Sequence, residues 1–278
     1  MSIMVVDQQV VHYEVFGYGR PVLFLHGWLG SWRYWFPTIE RVAEHFRTYS
    51  FDFWGFGDTR LGQSTPESIQ SYSDQVIRFL DELGIDRVVL VGHSMGGMVA
   101  LKTAINNPKR VSRVVAVGAP IVGDSLSWLL KLTDRPVLAD AFARMPWFRR
   151  YMFRLFLGET NDPAVNEILD DSVKSSSTTL RRAVGSMWRT DLRPELPRLN
   201  VPALIVHGGR DEIVHPNQAD LFDHIPSAEV VVMPESRHFP FLDEAELFNE
   251  TLLRFLRQDA PRSMPRRARS RQIAPVSG

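Results

Sequence analysis

The stretch Val88-Val89-Leu90-Val91-Gly92-His93-Ser94-Met95-Gly96-Gly97-Met98-Val99-Ala100 decides the fold of this chain. A β-branched apolar run passes through glycines into a segment rich in small residues, which predicts a strand, a sharp turn and a helix. Gly92 and Gly96 flank Ser94 two residues to either side, where a side chain would collide with the neighbouring strand or helix in a strained turn. Such a turn lifts the serine hydroxyl clear of the sheet. A bare G-x-S-x-G arises by chance in about one chain in ten of this length, so its surroundings must support it.

Apolar runs elsewhere in the chain indicate further strands of the same sheet. The continuous run Pro21-Val22-Leu23-Phe24-Leu25 fits a central strand buried on both faces, and it ends abruptly at His26-Gly27. Comparable runs lie at 111–117, 202–209 and 228–233, with helical patterns between them. Strands that alternate with helices predict an α/β fold with a mostly parallel, eight-stranded-type sheet and helices on both faces.

The alternation is interrupted between residues 121 and 199, where helical patterns follow one another without a strand. The sequence therefore predicts a core domain of residues 1–120 and 200–258 and an all-helical cap of residues 121–199. Residues 259–278 are basic and proline-rich without apolar periodicity, which predicts a disordered tail.

Composition excludes several classes of protein. The chain has 278 residues, no cysteine and a formal net charge of zero, so disulfides and thiolate chemistry are absent and no charge imbalance favours nucleic acid. No apolar run reaches the roughly 18 residues of a membrane span. We expect a cytoplasmic protein without stable membrane insertion. The glycine-rich turns lack a nucleotide-binding pattern and no His, Asp or Glu group has metal-ligand spacing, so neither cofactor nor metal is expected.

A serine hydroxyl becomes a nucleophile when a base takes its proton and a third group orients that base. The chain supplies candidates at the ends of two later strands. Asp211 follows the strand near residue 205, and His238 follows the strand that ends at residue 233. Glu212, beside Asp211, is the alternative acid.

With these motifs, the chain resembles the α/β-hydrolase superfamily, in the branch with a helical cap after the sixth strand, and the order Ser, Asp, His is that of this superfamily. The resemblance extends to about residue 258. It implies Ser94 as nucleophile, His238 as general base and then acid, and Asp211 as the orienting acid. It also implies an oxyanion hole formed by the backbone amides of Trp28 and Met95. Related haloalkane dehalogenases and epoxide hydrolases carry Asp at the nucleophile position, which disfavours those activities here.

Aromatic residues beside the first strand loop and in the cap predict an apolar substrate pocket, which we expect to be lined by Trp28, Trp128, Trp147, Tyr151 and Phe239. The predicted reaction is hydrolysis of a small-molecule carboxylic ester with a hydrophobic, small to medium acyl group, through an acyl-enzyme. For the arginine-rich cap helix the sequence favours an ordinary solvated face, and a weak contact of this helix or of the basic tail with a lipid surface is the alternative. The oligomeric state is left open.

Three other activities fit the same motifs. A carbon–carbon bond hydrolase acting on vinylogous diketones would share the triad and the cap, although such family members often lack His before the serine, so that His93 favours an esterase. A cofactor-free perhydrolase and a non-catalytic small-molecule receptor also remain open.

Overall fold

The structure, a computed structural model, describes residues 2–62, 67–157 and 164–258. Within these ranges eight strands form one sheet in the order β1-β2-β4-β3-β5-β6-β7-β8. The strands are β1 (Ser2–Val6), β2 (Gln9–Phe16), β3 (Pro21–Leu25), β4 (Arg47–Phe51), β5 (Val88–His93), β6 (Val111–Val117), β7 (Ala203–Gly208) and β8 (Ala228–Met233). The first two are antiparallel to their neighbours, and the other six are parallel.

The same ranges contain ten α-helices. They are α1 (Phe36–Ala43), α2 (Ile69–Glu82), α3 (Met95–Asn106), α4 (Trp128–Leu132), α5 (Pro136–Ala143), α6 (Pro146–Leu157), α7 (Ala164–Asp171), α8 (Ser177–Arg189), α9 (Pro240–Asp243) and α10 (Ala245–Arg257). The predicted α/β fold with a mostly parallel sheet is confirmed. Its physical basis is visible in β3, where Leu23 and Leu25 pack into one apolar cluster and Val22 and Phe24 into the other, because successive side chains point to opposite faces.

Two helices that the sequence pattern predicts, over 216–224 and 241–257, differ in detail. Residues Pro216–Phe222 form a 3₁₀ helix instead of an α-helix. The last predicted helix is interrupted at Glu244, whose backbone leaves the helical region with φ −123° and ψ 55°. The Glu244 carboxylate accepts hydrogen bonds from the Ser236 hydroxyl at 2.6 Å and the Glu235 amide at 3.2 Å. The break thus lets Glu244 hold the loop that carries His238.

Helices α4 to α8 lie between β6 and β7, in the segment predicted as the cap, which we call the cap below. Of the described cap residues, Ala183, Val184 and Met187 belong to the same apolar cluster as Leu25 and Leu90 of the sheet, so the cap packs directly on the sheet's core. The division into core and cap domains remains a prediction. The predicted tail, 259–278, lies outside the described residues.

Candidate active site

Ser94 occupies a strained turn between β5 and α3. Its φ of 53° and ψ of −116° lie in a region that side chains other than glycine rarely adopt, at a cost of about 1 to 3 kcal/mol. A Cβ on Gly92 would stand 2.1 Å from the Gly96 carbonyl oxygen, and one on Gly96 would stand 2.4 Å from the Leu25 carbonyl oxygen. Both glycines are therefore required by close approach of the backbone, as the sequence predicted.

Asp211 and His238 form a buried hydrogen-bonded pair. The Nδ1 of His238 lies 2.8 Å from Oδ2 of Asp211, and the other carboxylate oxygen accepts the amides of Ile213 at 2.8 Å and Val214 at 2.9 Å. Burial raises the pKa of the Asp211 carboxyl, but the charge and hydrogen bond of His238 and the two amides outweigh it, so the net pKa lies below its usual value. An ionised carboxylate therefore sets the proton on Nδ1 of His238. Neighbouring Glu212 lines an outer groove instead and has no bond to His238.

Ser94 and His238 line one small cavity of about 30 Å³ at the carboxyl ends of β5 and β8. Ser94 is 7% exposed and His238 5%. The remaining walls are apolar or aromatic and come from seven separate parts of the chain: Trp28, Leu29, His93, Leu126, Leu130, Phe153, Met187, Ile213 and Phe239. The fold thus brings the three predicted catalytic residues together, since Asp211 is bonded to the histidine of this cavity.

The predicted oxyanion-hole residues both lie close to Ser94, Met95 as the next residue in the chain and Trp28 in the wall of the same cavity. Met95 is the first residue of α3, so its amide has no acceptor within the helix. Trp28 lies in the tight turn after β3 that the Gly30 amide closes on the Gly27 carbonyl at 3.1 Å. A Cβ on Gly27 would meet the Ser94 Cβ at 3.0 Å, which shows how closely this turn approaches the serine.

Sequence reasoning missed a chain of hydrogen bonds that joins this turn to His238. The Gly27 amide donates to the Tyr34 hydroxyl, and that hydroxyl lies 3.1 Å from Nδ1 of His93. The Nε2 of His93 lies 2.8 Å from the His238 carbonyl oxygen. A carbonyl accepts only, so Nε2 of His93 carries the proton and Nδ1 accepts from Tyr34. Burial first, and then the nearby His238, lower the pKa of His93 well below its usual value, so it stays neutral.

Gly118 is a second residue that the sequence did not single out. It has φ +53° at the end of β6, and a Cβ there would stand 3.3 Å from the ring atoms Cε1 and Nδ1 of His238. The glycine leaves room for the imidazole. Both the tyrosine and this glycine contact the site from elsewhere in the chain, and no spacing relative to Ser94 marks them.

Two other histidines near the site, His26 and His207, are buried and have positions that indicate structural roles. Nε2 of His26 accepts the Phe53 amide at 2.9 Å and its Nδ1 donates to the Gly27 carbonyl at 2.8 Å, so it holds the turn after β3. His207 is fully buried, and neither ring nitrogen has a partner among the described residues. Burial lowers the pKa of His207 to about 4, with the nearby Asp211 opposing and His238 reinforcing the change.

The predicted substrate-contacting residues divide into three groups. Trp28 and Phe239 line the cavity of Ser94. Trp128 lies outside it, in an outer groove of about 580 Å³ that also contains His238. Trp147 and Tyr151 are 69% and 56% exposed and line neither the cavity nor the groove. A contact of these last two with substrate stays a prediction, and in the structure α6 turns Phe153 toward the cavity and leaves Tyr151 on its opposite side.

Two further cavities lie nearby. An apolar cleft of about 210 Å³ in the cap is bounded by Trp28 and by residues of α4, α5 and α6. A larger, polar cavity of about 710 Å³ lies between the loop after β4 and the start of α8 and contains none of the predicted site residues. Although this cavity is larger than that of Ser94, we assign it no role in the chemistry at Ser94.

One cluster of potential metal ligands was not predicted by spacing. His12, Asp52 and Asp58 come from separate elements and place ligand atoms within 4.8 Å of one another. Their atoms are already engaged: Asp52 accepts the amides of Trp32 and Asp58 at 2.8 and 2.9 Å, and the Asp58 carboxylate lies 2.9 Å from the Arg33 guanidinium. Two backbone amides, the Arg33 guanidinium and the Lys174 ammonium satisfy the carboxylates of this cluster, and we assign no metal to it. In the described part of the chain, no helix is long and apolar enough to cross a membrane.

Comparison with known proteins identifies the family. The family model for the α/β hydrolase fold matches residues 20–245. The chain belongs to the α/β-hydrolase family. This α/β hydrolase is 29% identical to a pimeloyl-[acyl-carrier protein] methyl ester esterase from Vibrio campbellii, over 86% of its own length and 95% of the relative's. The predicted fold and hydrolase class are confirmed.

Solved structures agree with this assignment. An esterase from Exiguobacterium antarcticum is 27% identical, with a TM-score of 0.77 over 92% of this hydrolase and 98% of the esterase. A meta-cleavage product hydrolase from Pseudomonas fluorescens has a TM-score of 0.77 at 22% identity, over 92% of this chain and 97% of its own, a likeness that concerns the fold. These names differ in the bond that is cleaved and do not fix the substrate.

Proposed function

We propose that this α/β hydrolase is a serine esterase that cleaves carboxylic esters of hydrophobic, small to medium acyl groups through an acyl-enzyme. The observation that carries the proposal is the arrangement of Ser94 on its strained turn in one cavity with His238, which is hydrogen-bonded to Asp211. The esterases among its relatives and structural neighbours support the ester bond as the target.

In this mechanism Nε2 of His238 takes the Ser94 proton as Oγ attacks the ester carbonyl carbon. The carbonyl electron pair moves onto its oxygen, which the amides of Trp28 and Met95 stabilise. Two preorganised donors of this kind are typically worth about 3 kcal/mol each in the transition state. Asp211 holds the ring in the required tautomer and stabilises the imidazolium.

The tetrahedral intermediate then collapses as the bond to the alcohol oxygen breaks. His238 gives its proton to that oxygen, the alcohol leaves, and the acyl group remains on Ser94. A water molecule, deprotonated by His238, attacks the acyl carbonyl in the second half. The acid is released and the Ser94 hydroxyl is restored, so the proton inventory balances over the cycle.

The environment of the pair suits this role. The carboxylate of Asp211 is held ionised by its partners, and neutral His93 adds no positive charge beside the imidazolium that forms. The largely apolar cavity walls exclude water from all but a small volume, which strengthens hydrogen bonds to the developing oxyanion.

Hydrolysis of p-nitrophenyl esters from acetate to decanoate, by the wild type beside Ser94→Ala, tests the proposal. We expect the variant to remain folded and to lose at least about a thousandfold in kcat. Retained turnover in the variant would exclude Ser94 as nucleophile. If neither protein hydrolyses any ester, the esterase is wrong, and carbon–carbon hydrolysis and a receptor role become the activities to test.

A further inference from the structure

Three spaces near the proposed nucleophile share lining residues: the cavity of Ser94, the outer groove and the apolar cap cleft. The cavity of Ser94 has a volume of about 30 Å³, whereas a single water needs about 10 to 15 Å³ by the same kind of measure. It therefore holds only a few atoms beyond the reacting carbonyl. The outer groove shares His238 and Ile213 with it, and the apolar cap cleft shares Trp28 and Leu130. Among the described residues, these two neighbouring spaces offer room for larger parts of a substrate.

The chemistry proposed above decides which part goes where. His238 must protonate the leaving oxygen, so the alcohol lies on the side of the imidazole. That side opens into the outer groove of about 580 Å³, whose lining includes Arg210, Glu212 and Arg237. The acyl group then points the other way, toward Trp28 and Leu130.

Trp28 lines both the Ser94 cavity and the cap cleft, as does Leu130. Its ring stacks on that of Phe142, with 6.1 Å between centroids and 11° between planes. Its Nε1 donates a hydrogen bond of 3.2 Å to the Leu180 carbonyl. Helices α5 and α8 thus hold the indole from two directions, and the ring is a fixed wall.

Behind this wall the cleft is suited to an alkyl chain. Its volume is about 210 Å³, and its lining is apolar apart from Thr133. The lining residues are Trp28, Leu129, Leu130, Leu132, Thr133, Leu138, Ala141, Phe142, Met145, Phe148 and Met152. A chain that reached this cleft would bury each methylene against carbon atoms.

We propose that the Trp28 indole is the specificity-determining partition of the acyl site, an inference that rests on the proposed esterase function. With the indole in place the enzyme takes esters of short acyl groups, of about two to four carbons, and accommodates the bulk of the substrate on the alcohol side. Removal of the indole joins the cavity to the cleft. Longer acyl chains then gain about fourfold in kcat/KM for each methylene that enters.

The test compares acyl-chain profiles. We would measure kcat/KM on p-nitrophenyl acetate through decanoate for the wild type, Trp28→Ala and Trp28→Ala/Ala141→Phe, in which the new phenyl group fills the cleft. The control Trp188→Ala removes an indole from the cap that lies 39% exposed and outside all three spaces. The backbone amide of Trp28 is kept in every variant.

We expect the wild type and the control to prefer acetate to butyrate. Trp28→Ala should raise the ratio of octanoate to acetate activity at least about tenfold, and the double variant should return this ratio to that of the wild type. Trp28→Phe, with a smaller ring, should give an intermediate profile and serves as the test if the alanine variant does not fold.

The inference is overturned if the Trp28 variants hydrolyse esters with an unchanged chain-length profile, if the wild type already prefers octanoate, or if the Ala141→Phe change does not reverse the gain. Failure of the proposed function has a different signature, namely that the wild type shows no ester hydrolysis that depends on Ser94.

Discussion

The Nε2 of His93 lies 2.8 Å from the backbone carbonyl oxygen of His238, and the rings of the two residues approach to 4.7 Å between centroids. The residue immediately before the proposed nucleophile thus holds the loop that carries the proposed base. Through Tyr34 the same ring is connected to the amide of Gly27, in the turn that carries the proposed oxyanion amide. The His93 side chain therefore connects the loop that carries the proposed base with the turn that carries the proposed oxyanion amide.

Loss of this connection should lower turnover more than substrate affinity. We expect His93→Phe, which keeps an aromatic ring but loses both ring nitrogens, to reduce kcat on a p-nitrophenyl ester about tenfold to a hundredfold, with KM little changed. The reason is that a small displacement of the base misaligns proton transfer. The matched variant Tyr34→Phe removes the hydroxyl from the same chain of bonds. The double variant should lose less than the product of the single losses. Multiplicative losses would show that the two residues act independently.

The choice between two adjacent carboxylates can be tested directly. Asp211→Asn should reduce kcat by about a thousandfold or more, because the amide cannot hold His238 in the tautomer that accepts the Ser94 proton. Glu212→Gln should keep more than about a tenth of wild-type activity, since its side chain lines the outer groove and has no bond to the base. The reverse result would show that Glu212, and not Asp211, is the acid that orients His238.

Buried His207 should make the protein sensitive to acid. Its pKa is lowered to about 4 in the folded state against an ordinary value of 6.5, so the unfolded chain binds more protons between these values. Stability is therefore fully present above about pH 6.5 and is lost as the pH falls toward 4, by up to about 3 kcal/mol at this group. We expect His207→Leu to show a smaller loss of unfolding free energy between pH 7 and pH 4.5 than the wild type, measured by urea denaturation.

The control for this measurement is His224→Leu, in which an exposed imidazole is replaced. It should lose as much stability on acidification as the wild type. An equal loss in His207→Leu would show that the acid sensitivity originates elsewhere.

Asp171 anchors the cap beside the oxyanion turn. It is 2% exposed and accepts the Ser31 hydroxyl at 2.5 Å, Arg33 at 2.8 Å and Lys174 at 2.6 Å. Asp171→Ala should lower the unfolding free energy by about 2 to 4 kcal/mol, because it leaves a partly buried guanidinium and hydroxyl without this acceptor. Exposed Asp170 is the matched control, and Asp170→Ala should cost less than about 1 kcal/mol by thermal or chemical denaturation. An equal loss of unfolding free energy in the two variants would show that Asp171 does not anchor the cap.

Much of the fold could be predicted because its signals are local. The glycines around Ser94, the apolar run at 21–25 and the strand patterns before Asp211 and His238 each describe a few consecutive residues. Parallel strands bring their carboxyl ends to one edge of the sheet, so residues that follow different strands meet without any contact being predicted individually. The pairing of Asp211 with His238 at 2.8 Å is an example.

The sequence by itself thus determined the order of strands and helices, the turn at Ser94 and the residues at the strand ends. Only the tertiary structure decided which cap residues face Ser94. On the same helix, Phe153 turns toward the Ser94 cavity and Tyr151 turns away from it. The Trp28 indole is held in place because Phe142 and Leu180 contact it from the cap. The reason is physical. Short helices with apolar residues on several sides have more than one face that could be buried, and packing against the rest of the molecule selects among them.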